Sequence, residues 1–217
     1  MNEITKKTVE ALKNNNMNAI YAESKREVCE AVRNILFPDC SIAVGGSVTL
    51  SECGVRDIIS EPQYRFFDRN RPGITPEEKT EVYRKTVGCD FLLCSSNAIT
   101  ENGELVNVDG TGNRVSALAF GPKKIIVIAG VNKIVSDLPA AMLRIKRIAA
   151  PKNAVRLGLN TPCAKLGHCI SLEGCDAPAF TAGCKSERRI CASYLITGYQ
   201  MDPERITVIL CGETLGY

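Results

Sequence analysis

Residues 41–49 read Ser-Ile-Ala-Val-Gly-Gly-Ser-Val-Thr, an apolar run that ends in two glycines. The run predicts a buried strand and a tight turn, and the periodic stretch after it predicts a helix to about residue 59. Ligands of parallel sheets lie at the carboxyl ends of such strands. Because glycine lets the backbone approach an anion and hydroxyls donate hydrogen bonds, we predict an anion-binding turn. Its residues are Gly45, Gly46, Ser47 and Thr49. The alternative is a simple turn in which Ser47 caps the helix.

Strand and helix patterns alternate on both sides of this turn. Further strands are predicted at residues 17–22, 64–67, 89–95, 104–108, 124–129 and 205–210. Further helices are predicted at residues 2–15, 24–36 and 134–148, and from Thr75 onward, where proline follows at the first turn. This alternation predicts an α/β fold with a mainly parallel sheet and helices on both faces. No repeat or linker divides the chain, so we predict a single domain over residues 1–217.

Charge and hydropathy limit the classes of partner. The chain has 27 basic and 24 acidic side chains and a formal net charge of +3, and these charges are spread along it, so we expect no nucleic-acid partner. The longest apolar run, residues 125–131, is too short to cross a bilayer, and the first residues lack an apolar signal core. We therefore expect a cytoplasmic protein with no membrane partner, in which the eleven cysteines stay reduced.

A polar loop at residues 107–114 gathers a carboxylate, an amide and a guanidinium after a predicted strand. Its candidate catalytic residues are Asp109, Asn113 and Arg114. A carboxylate that is held close to a substrate proton can act as a general base, and an arginine can bind an anion through two hydrogen bonds. The alternative is a turn in which Arg114 pairs with Asp109. The loop lacks the last glycine of a dinucleotide fingerprint, because Val115 occupies that position, and no NAD or flavin site is detected.

A cysteine-rich loop near the C-terminus, residues 160–191, is irregular and rich in glycine, proline and small residues. It contains five cysteines and the single histidine of the chain, which are Cys163, Cys169, Cys175, Cys184, Cys191 and His168. A long irregular segment inside a compact domain is unusual unless a further interaction fixes it, and a bound metal centre would fix it. The spacing matches neither a zinc ribbon nor a ferredoxin motif, and free thiols are the alternative. The other six cysteines lie in apolar elements, where cysteine is most often a small core residue.

Several stretches together resemble the lactate-utilisation (LUD-domain) family, in particular its short, cysteine-bearing members. They are residues 44–49, 96–100, 112–117, 128–135, 150–154, 160–163, 185–191 and 206–216. The resemblance implies a fold similar to the superfamily of sugar-phosphate isomerases, glucosamine-phosphate deaminases and CoA transferases, with residues 45–49 as the phosphate-binding turn. It also implies a metal-ligand set of Cys163, Cys169, Cys184 and Cys191. Cys175 lies in what resembles an insertion and His168 stands where lysine is expected, so both stay open as substitute ligands.

The resemblance implies an accessory or redox subunit in the oxidation of lactate or a related 2-hydroxy acid. Such a subunit would bind a small anionic metabolite, carry an iron–sulfur cluster or another metal centre, and act with an iron–sulfur oxidoreductase partner. The alternative is a stand-alone isomerase, hydrolase or transferase for a phosphorylated sugar or CoA-type ligand, with Asp109 as base and with structural zinc or free thiols. A third reading is a metal- or redox-responsive binding protein without catalysis. Homo-oligomerisation stays open in all three.

Overall fold

The computed structural model describes residues 1–217, which form nine α-helices and two sheets. The helices are α1 (Glu3–Asn14), α2 (Lys25–Ile35), α3 (Val48–Glu52), α4 (Val55–Ile59), α5 (Pro76–Val87), α6 (Asn113–Ala119), α7 (Leu138–Arg144), α8 (Ala150–Arg156) and α9 (Pro162–Leu166). A π-helical turn, Ile145–Ala149, joins α7 to α8, and short 3₁₀ turns lie at Val131–Lys133 and Ile170–Leu172. None of the helices combines the length and the apolar character that crossing a membrane requires.

Ten strands divide between the two sheets. They are β1 (Asn18–Ala22), β2 (Ser41–Val44), β3 (Arg65–Phe66), β4 (Phe91–Cys94), β5 (Ala98–Thr100), β6 (Leu105–Asp109), β7 (Lys124–Gly130), β8 (Ile134–Val135), β9 (Ser193–Thr197) and β10 (Ile206–Cys211). The larger sheet has six strands in the order β1-β10-β7-β4-β2-β3, and every pairing in it is parallel. The four residues of β2 and the four of β4 are all buried, as expected for central strands covered on both faces.

Helices cover both faces of the larger sheet. On one face Ile42 and Val44 of β2 pack in a core cluster with Val28 of α2 and Leu50 of α3. On the other face Ala43, between those two residues, packs with apolar side chains of α1 and α6. This alternation follows from the period of two along a strand. The predicted α/β fold, with a large parallel sheet between two layers of helices, is therefore confirmed.

The smaller sheet was not predicted. It has the order β8-β5-β6-β9, in which β6 pairs antiparallel with β5 and β9, and β5 pairs parallel with β8. All four of its strands are short, with two to five residues, and only β6 lies on a predicted strand. The predicted helix at residues 134–148 is wrong at its start, because Ile134–Val135 is β8 and Asp137 caps α7 by accepting a hydrogen bond from the Ala140 N–H (2.8 Å).

Two other predicted elements differ from the structure at their boundaries. The helix predicted to extend to residue 59 is divided into α3 and α4 by Gly54, whose φ of 74° lies in the left-handed region that glycine adopts readily. The polar loop at residues 107–114 includes the end of β6 and the start of α6. Its irregular part is therefore limited to residues 110–112, a short βα connection at the carboxyl edge of the sheets.

Candidate functional site

A cavity of about 320 Å³ lies where several strands end. Its lining includes Ser47 after β2, Ser95 after β4, Asp109 at the end of β6 and Lys133 after β7, together with residues of α5 and α8. The carboxyl ends of parallel strands meet at one edge of a sheet, which is the usual position of a ligand site in this class of fold. The predicted glycine turn and the predicted polar loop thus lie on one cavity.

The two glycines of the turn have different surroundings. A Cβ on Gly45 would lie 2.8 Å from Cδ of Arg114 and 3.0 Å from Cβ of Cys94, and Gly45 is not part of the cavity lining. A Cβ on Gly46 would lie 2.8 Å from Nη2 of Arg69, within the cavity. Gly45 therefore accommodates a buried arginine, and Gly46 lets a second arginine approach the turn.

The hydroxyls of the turn also differ. Ser47 accepts a hydrogen bond from the Leu50 N–H (3.3 Å) and so caps α3, as the alternative interpretation stated, while it also lines the cavity. Thr49 is buried and accepts a hydrogen bond from Lys133 Nζ (3.0 Å). Gly46, Ser47 and Thr49 therefore line the cavity, whereas Gly45 lies outside the lining and packs against Arg114.

Asp109 is fully engaged with the start of α6. Its Oδ1 accepts from Nε (3.1 Å) and Nη2 (2.8 Å) of Arg114, and its Oδ2 accepts from the backbone N–H groups of Arg114 and Val115, both at 2.8 Å. Asn113, the third candidate catalytic residue, lines the cavity and its Oδ1 accepts from the Thr111 hydroxyl (2.8 Å). The carboxylate thus anchors a helix and pairs with an arginine, the arrangement that the turn interpretation described.

Arg114 holds together the ends of two strands. Its Nη1 donates to the Ser95 carbonyl (2.7 Å) and to Asn107 Oδ1 (2.5 Å). Its Nη2 donates to Asn97 Oδ1 (2.8 Å) and to the Val108 carbonyl (2.9 Å), in addition to the carboxylate. Since all five guanidinium N–H groups have partners, the side chain has no free donor with which to clamp a ligand. An anion in the cavity would depend on other cations.

Lys133 is a buried amine in the lining of the cavity and was not among the predicted site residues. It is only 3% exposed, and its Nζ donates to Thr49 Oγ1 (3.0 Å) and to Ser95 Oγ (2.9 Å). Burial, reinforced by the charges of Arg144 and Arg114, lowers the pKa of this amine to about 7. The available signal was its position directly after an apolar strand, at the same sheet edge as the glycine turn.

Three further cations line the cavity, and none pairs with a carboxylate. They are Arg69, Lys79 and Arg156. The guanidinium of Arg69 lies over the Tyr83 ring, 5.6 Å from its centroid. Arg156 Nε donates to Asn153 Oδ1 (3.0 Å) and to the Tyr217 hydroxyl (2.8 Å). These residues were not predicted as site residues because they lie on separate elements and belong to no local motif.

The cavity therefore carries an excess of positive charge. Asp109 is the one acidic side chain in its lining, and that charge is already paired with Arg114. Arg69, Lys79 and Arg156 have no acidic side chain as partner. A concave site with one sign of charge concentrates ligands of the opposite sign, so the arrangement favours a small anion.

The four cysteines of the predicted ligand set line a second, much smaller pocket of about 10 Å³. They are Cys163, Cys169, Cys184 and Cys191. Cys175 is exposed and outside this thiol pocket, and His168 is exposed with its Nε2 3.7 Å from Glu173 Oε1. The structure thus brings four of the candidate ligands together and leaves the two substitutes apart. No group of three or more Cys, His, Asp or Glu side chains is placed to hold a metal ion, however.

Arg189 is packed against the thiol pocket. Its Nη1 donates to the Cys184 carbonyl (2.9 Å), and its Nη2 donates to the Cys191 carbonyl (2.8 Å) and lies 3.5 Å from the Cys191 sulfur. Burial raises the pKa of the Cys163 thiol. Burial acts in the same direction on Cys184, but hydrogen bonds from Ser186 and the charge of Arg189 outweigh it and lower that thiol's pKa.

One segment joins the two pockets. Ile190 lines the cavity and the next residue, Cys191, lines the thiol pocket. The Ala192 N–H donates to the Asp109 carbonyl (2.9 Å), which fixes this segment to the end of β6. The six remaining cysteines are elsewhere, where five are buried and Cys29 is half-buried.

Comparisons with known proteins give a family and a fold. The family model described as the LUD domain matches residues 5–211. A DUF162 family protein from Deinococcus radiodurans has a similar structure over 97% of both chains, with a TM-score of 0.52 and 14% identity. Ribose 5-phosphate isomerase from Plasmodium falciparum matches over 52% of each chain (TM-score 0.32, 15% identity), and eIF2B beta from Chaetomium thermophilum over 54% of this chain and 44% of its own (TM-score 0.38, 12% identity).

No curated protein is similar enough to the chain to count as a match. The family model nevertheless covers nearly the whole chain, from α1 to the end of β10. The resemblance that the sequence motifs indicated is confirmed, and the chain belongs to the LUD-domain family.

Proposed function

We propose that the protein binds a small carboxylate metabolite in its cavity and serves as an accessory or redox subunit in the oxidation of lactate or a related 2-hydroxy acid. The observation that carries the proposal is the group of three cavity cations, Arg69, Lys79 and Arg156, that have no acidic side chain as partner. Membership of the LUD-domain family supports the substrate class. Both the 2-hydroxy acid and its 2-oxo acid product are carboxylates, so the same cations suit either.

The most suitable place for the carboxylate is beside Gly46. Nη2 of Arg69 lies 2.8 Å, and Nη2 of Arg156 3.9 Å, from the position that a Cβ on Gly46 would occupy. Two guanidinium groups that approach one point can bind a carboxylate through paired hydrogen bonds. The other end of the ligand would then face the hydroxyls and the amine around Lys133.

The stand-alone enzyme alternative is not favoured. It requires Asp109 as a general base, and a base needs an oxygen that can reach a substrate proton. Each Asp109 oxygen already accepts two hydrogen bonds, and the side chain is 11% exposed. Releasing that carboxylate would leave the charge of Arg114 buried without its partner.

The thiol pocket suits a thiolate-preferring metal by the chemistry of its four sulfurs. Its volume of about 10 Å³ is that of one water-sized particle, so an iron–sulfur cluster would need the four side chains to move apart, and a single ion would need the sulfurs to converge, because no three of them are placed to hold an ion. Cys163, Cys169, Cys184 and Cys191 would hold either group. A cluster would supply electron transfer to an iron–sulfur oxidoreductase partner, and zinc would supply a cross-link.

Calorimetric titration with pyruvate and with L-lactate tests the binding proposal. Arg156→Gln removes one charged donor, and a charge-assisted hydrogen bond contributes about 1.5–3 kcal/mol, so the affinity should fall about 10- to 100-fold. Arg84→Gln, on the exposed side of α5 with 75% of its side chain exposed, is the matched control and should bind as the unaltered protein does. Absence of binding, or an equal loss in both variants, would contradict the proposal.

Anaerobic purification followed by measurement of iron, zinc and acid-labile sulfide tests the metal centre. We expect a metal content close to one site per chain, lost in Cys163→Ser and kept in Cys175→Ser, because Cys175 lies outside the thiol pocket. Iron with sulfide would identify a cluster, and zinc alone would identify a structural site. A preparation without metal, or equal losses in the two variants, would exclude this part of the proposal.

A further inference from the structure

The primary amine of Lys133 is the one buried amine in the lining of the cavity. It is 3% exposed, and lysine is rarely buried unless it is paired with an acid. The polar contacts of its Nζ are two hydroxyls, Thr49 Oγ1 at 3.0 Å and Ser95 Oγ at 2.9 Å. An anion clamp alone would be served equally well by an exposed lysine, so the burial of this amine calls for another explanation.

The contacts suit a neutral amine better than an ammonium ion. An ammonium group has three N–H donors, and only two acceptors are within reach. A neutral amine donates to both hydroxyls and keeps one lone pair at its fourth tetrahedral position. Two neighbouring guanidinium groups, of Arg114 and Arg144, further disfavour the charged form, and the pKa of about 7 agrees with this picture.

We propose that Lys133 forms a reversible imine with a 2-oxo acid held in the cavity. The inference rests on the proposed function, because the 2-oxo acid is the product of 2-hydroxy acid oxidation. With the carboxylate beside Arg69 and Arg156, the rest of the 2-oxo acid would extend into the same cavity, whose lining includes Lys133. The site is then a covalent carrier for the 2-oxo acid, a role that simple anion binding does not include.

The proposed step is balanced without any further reagent. The lone pair of Nζ forms a bond to the carbonyl carbon while the C=O π bond breaks, and a proton passes from the nitrogen to the carbonyl oxygen, which gives a carbinolamine. Loss of that hydroxyl as water leaves a C=N bond, and addition of water reverses the sequence. The hydroxyls of Thr49 and Ser95 are close enough to Nζ to pass protons between the nitrogen and the departing oxygen.

Reductive trapping tests this inference. The protein is incubated at pH 7.5 with pyruvate and sodium cyanoborohydride, which reduces an imine to a stable amine, and is then digested and mapped by mass spectrometry. An exposed lysine, with a pKa near 10.4, is only about one-thousandth free amine at this pH. We therefore expect the adduct on Lys133 to exceed that on any exposed lysine at least about tenfold.

Two variants and one competitor complete the test. Lys133→Arg has no primary amine and cannot form an imine, so its adduct should disappear, whereas the exposed control Lys85→Arg should label as the unaltered protein does. Excess inorganic phosphate should protect Lys133 by occupying the cavity. A thermal melt of Lys133→Arg shows whether it folds, and trapping on the unaltered protein decides the question even if it does not.

The outcomes separate the two proposals. Pyruvate that binds in calorimetry but leaves no adduct on Lys133 would overturn the imine and leave the binding function standing. Absence of pyruvate binding in calorimetry would overturn the binding function, and any labelling by cyanoborohydride reduction would then be spread over exposed lysines. Labelling confined to Lys133 and prevented by phosphate supports both.

Discussion

At the scale of single residues, the buried pair of Asp109 and Arg114 shows how a functional-looking motif can be structural. A carboxylate and an arginine in a glycine-rich loop fit catalysis as well as they fit a turn. The distinction depends on whether donors and acceptors remain free. Here the carboxylate accepts four hydrogen bonds and the arginine uses every N–H group, so the pair fastens α6 to the ends of β4 and β6.

Asp109→Asn should destabilise the protein. The variant leaves the Arg114 guanidinium, which is 9% exposed, without its countercharge, and we expect the free energy of unfolding in urea to fall by about 2–4 kcal/mol. The control Asp176→Asn, at an exposed position, should change it by less than about 0.5 kcal/mol. A stable Asp109→Asn variant would show that the carboxylate is not the anchor of α6.

Lys133 should make stability depend on pH. In the folded protein its pKa is about 7, whereas in the unfolded chain it is near 10.4. Between these values the unfolded state binds more protons, so the free energy of unfolding rises with pH. Relative to Lys133→Met, the unaltered protein should gain about 1.4 kcal/mol per pH unit from pH 7.5 to pH 9.5. A difference that stays constant over this range would contradict a buried neutral amine.

At the scale of elements, the succession of strand, turn and helix at residues 41–59 could be predicted, because the buried strand β2 is a continuous apolar run in the sequence. The short strands β5, β8 and β9 were not, since pairing with neighbours rather than local pattern defines them. The turn itself combines two tasks. Gly45 makes room for Arg114, and Gly46 makes room for Arg69.

Gly45→Ala and Gly46→Ala should therefore differ in what they change. The first should lower stability, and the second should lower the affinity for pyruvate. The Cβ of the first would press on Arg114 Cδ and Cys94 Cβ, which are buried and held, so we expect a loss of about 1–3 kcal/mol in the free energy of unfolding. The Cβ of the second meets only the flexible end of Arg69, so stability should change little while pyruvate affinity falls. Urea unfolding and calorimetry of both variants measure this contrast, and its reversal would contradict the assigned roles.

At the scale of the whole molecule, the cavity results from the way in which the fold brings separate strand ends and helices together. Arg69 and Lys79, Lys133, and Arg156 come from three separate stretches of the sequence, and the fold brings these stretches to one cavity. The sequence placed the glycine turn and the polar loop at that edge because each follows a strand. It could not show Lys133 together with the three cations, since their convergence depends on strand order. The four cysteines of the thiol pocket were grouped in advance by family resemblance, because their spacing alone matches no known motif.

The most direct test of the central claim is a crystal structure of the protein soaked with pyruvate. We expect the carboxylate between the guanidinium groups of Arg69 and Arg156, beside Gly46, with the rest of the molecule directed towards Lys133. An empty cavity, in crystals in which pyruvate binds elsewhere on the protein surface, would contradict the claim.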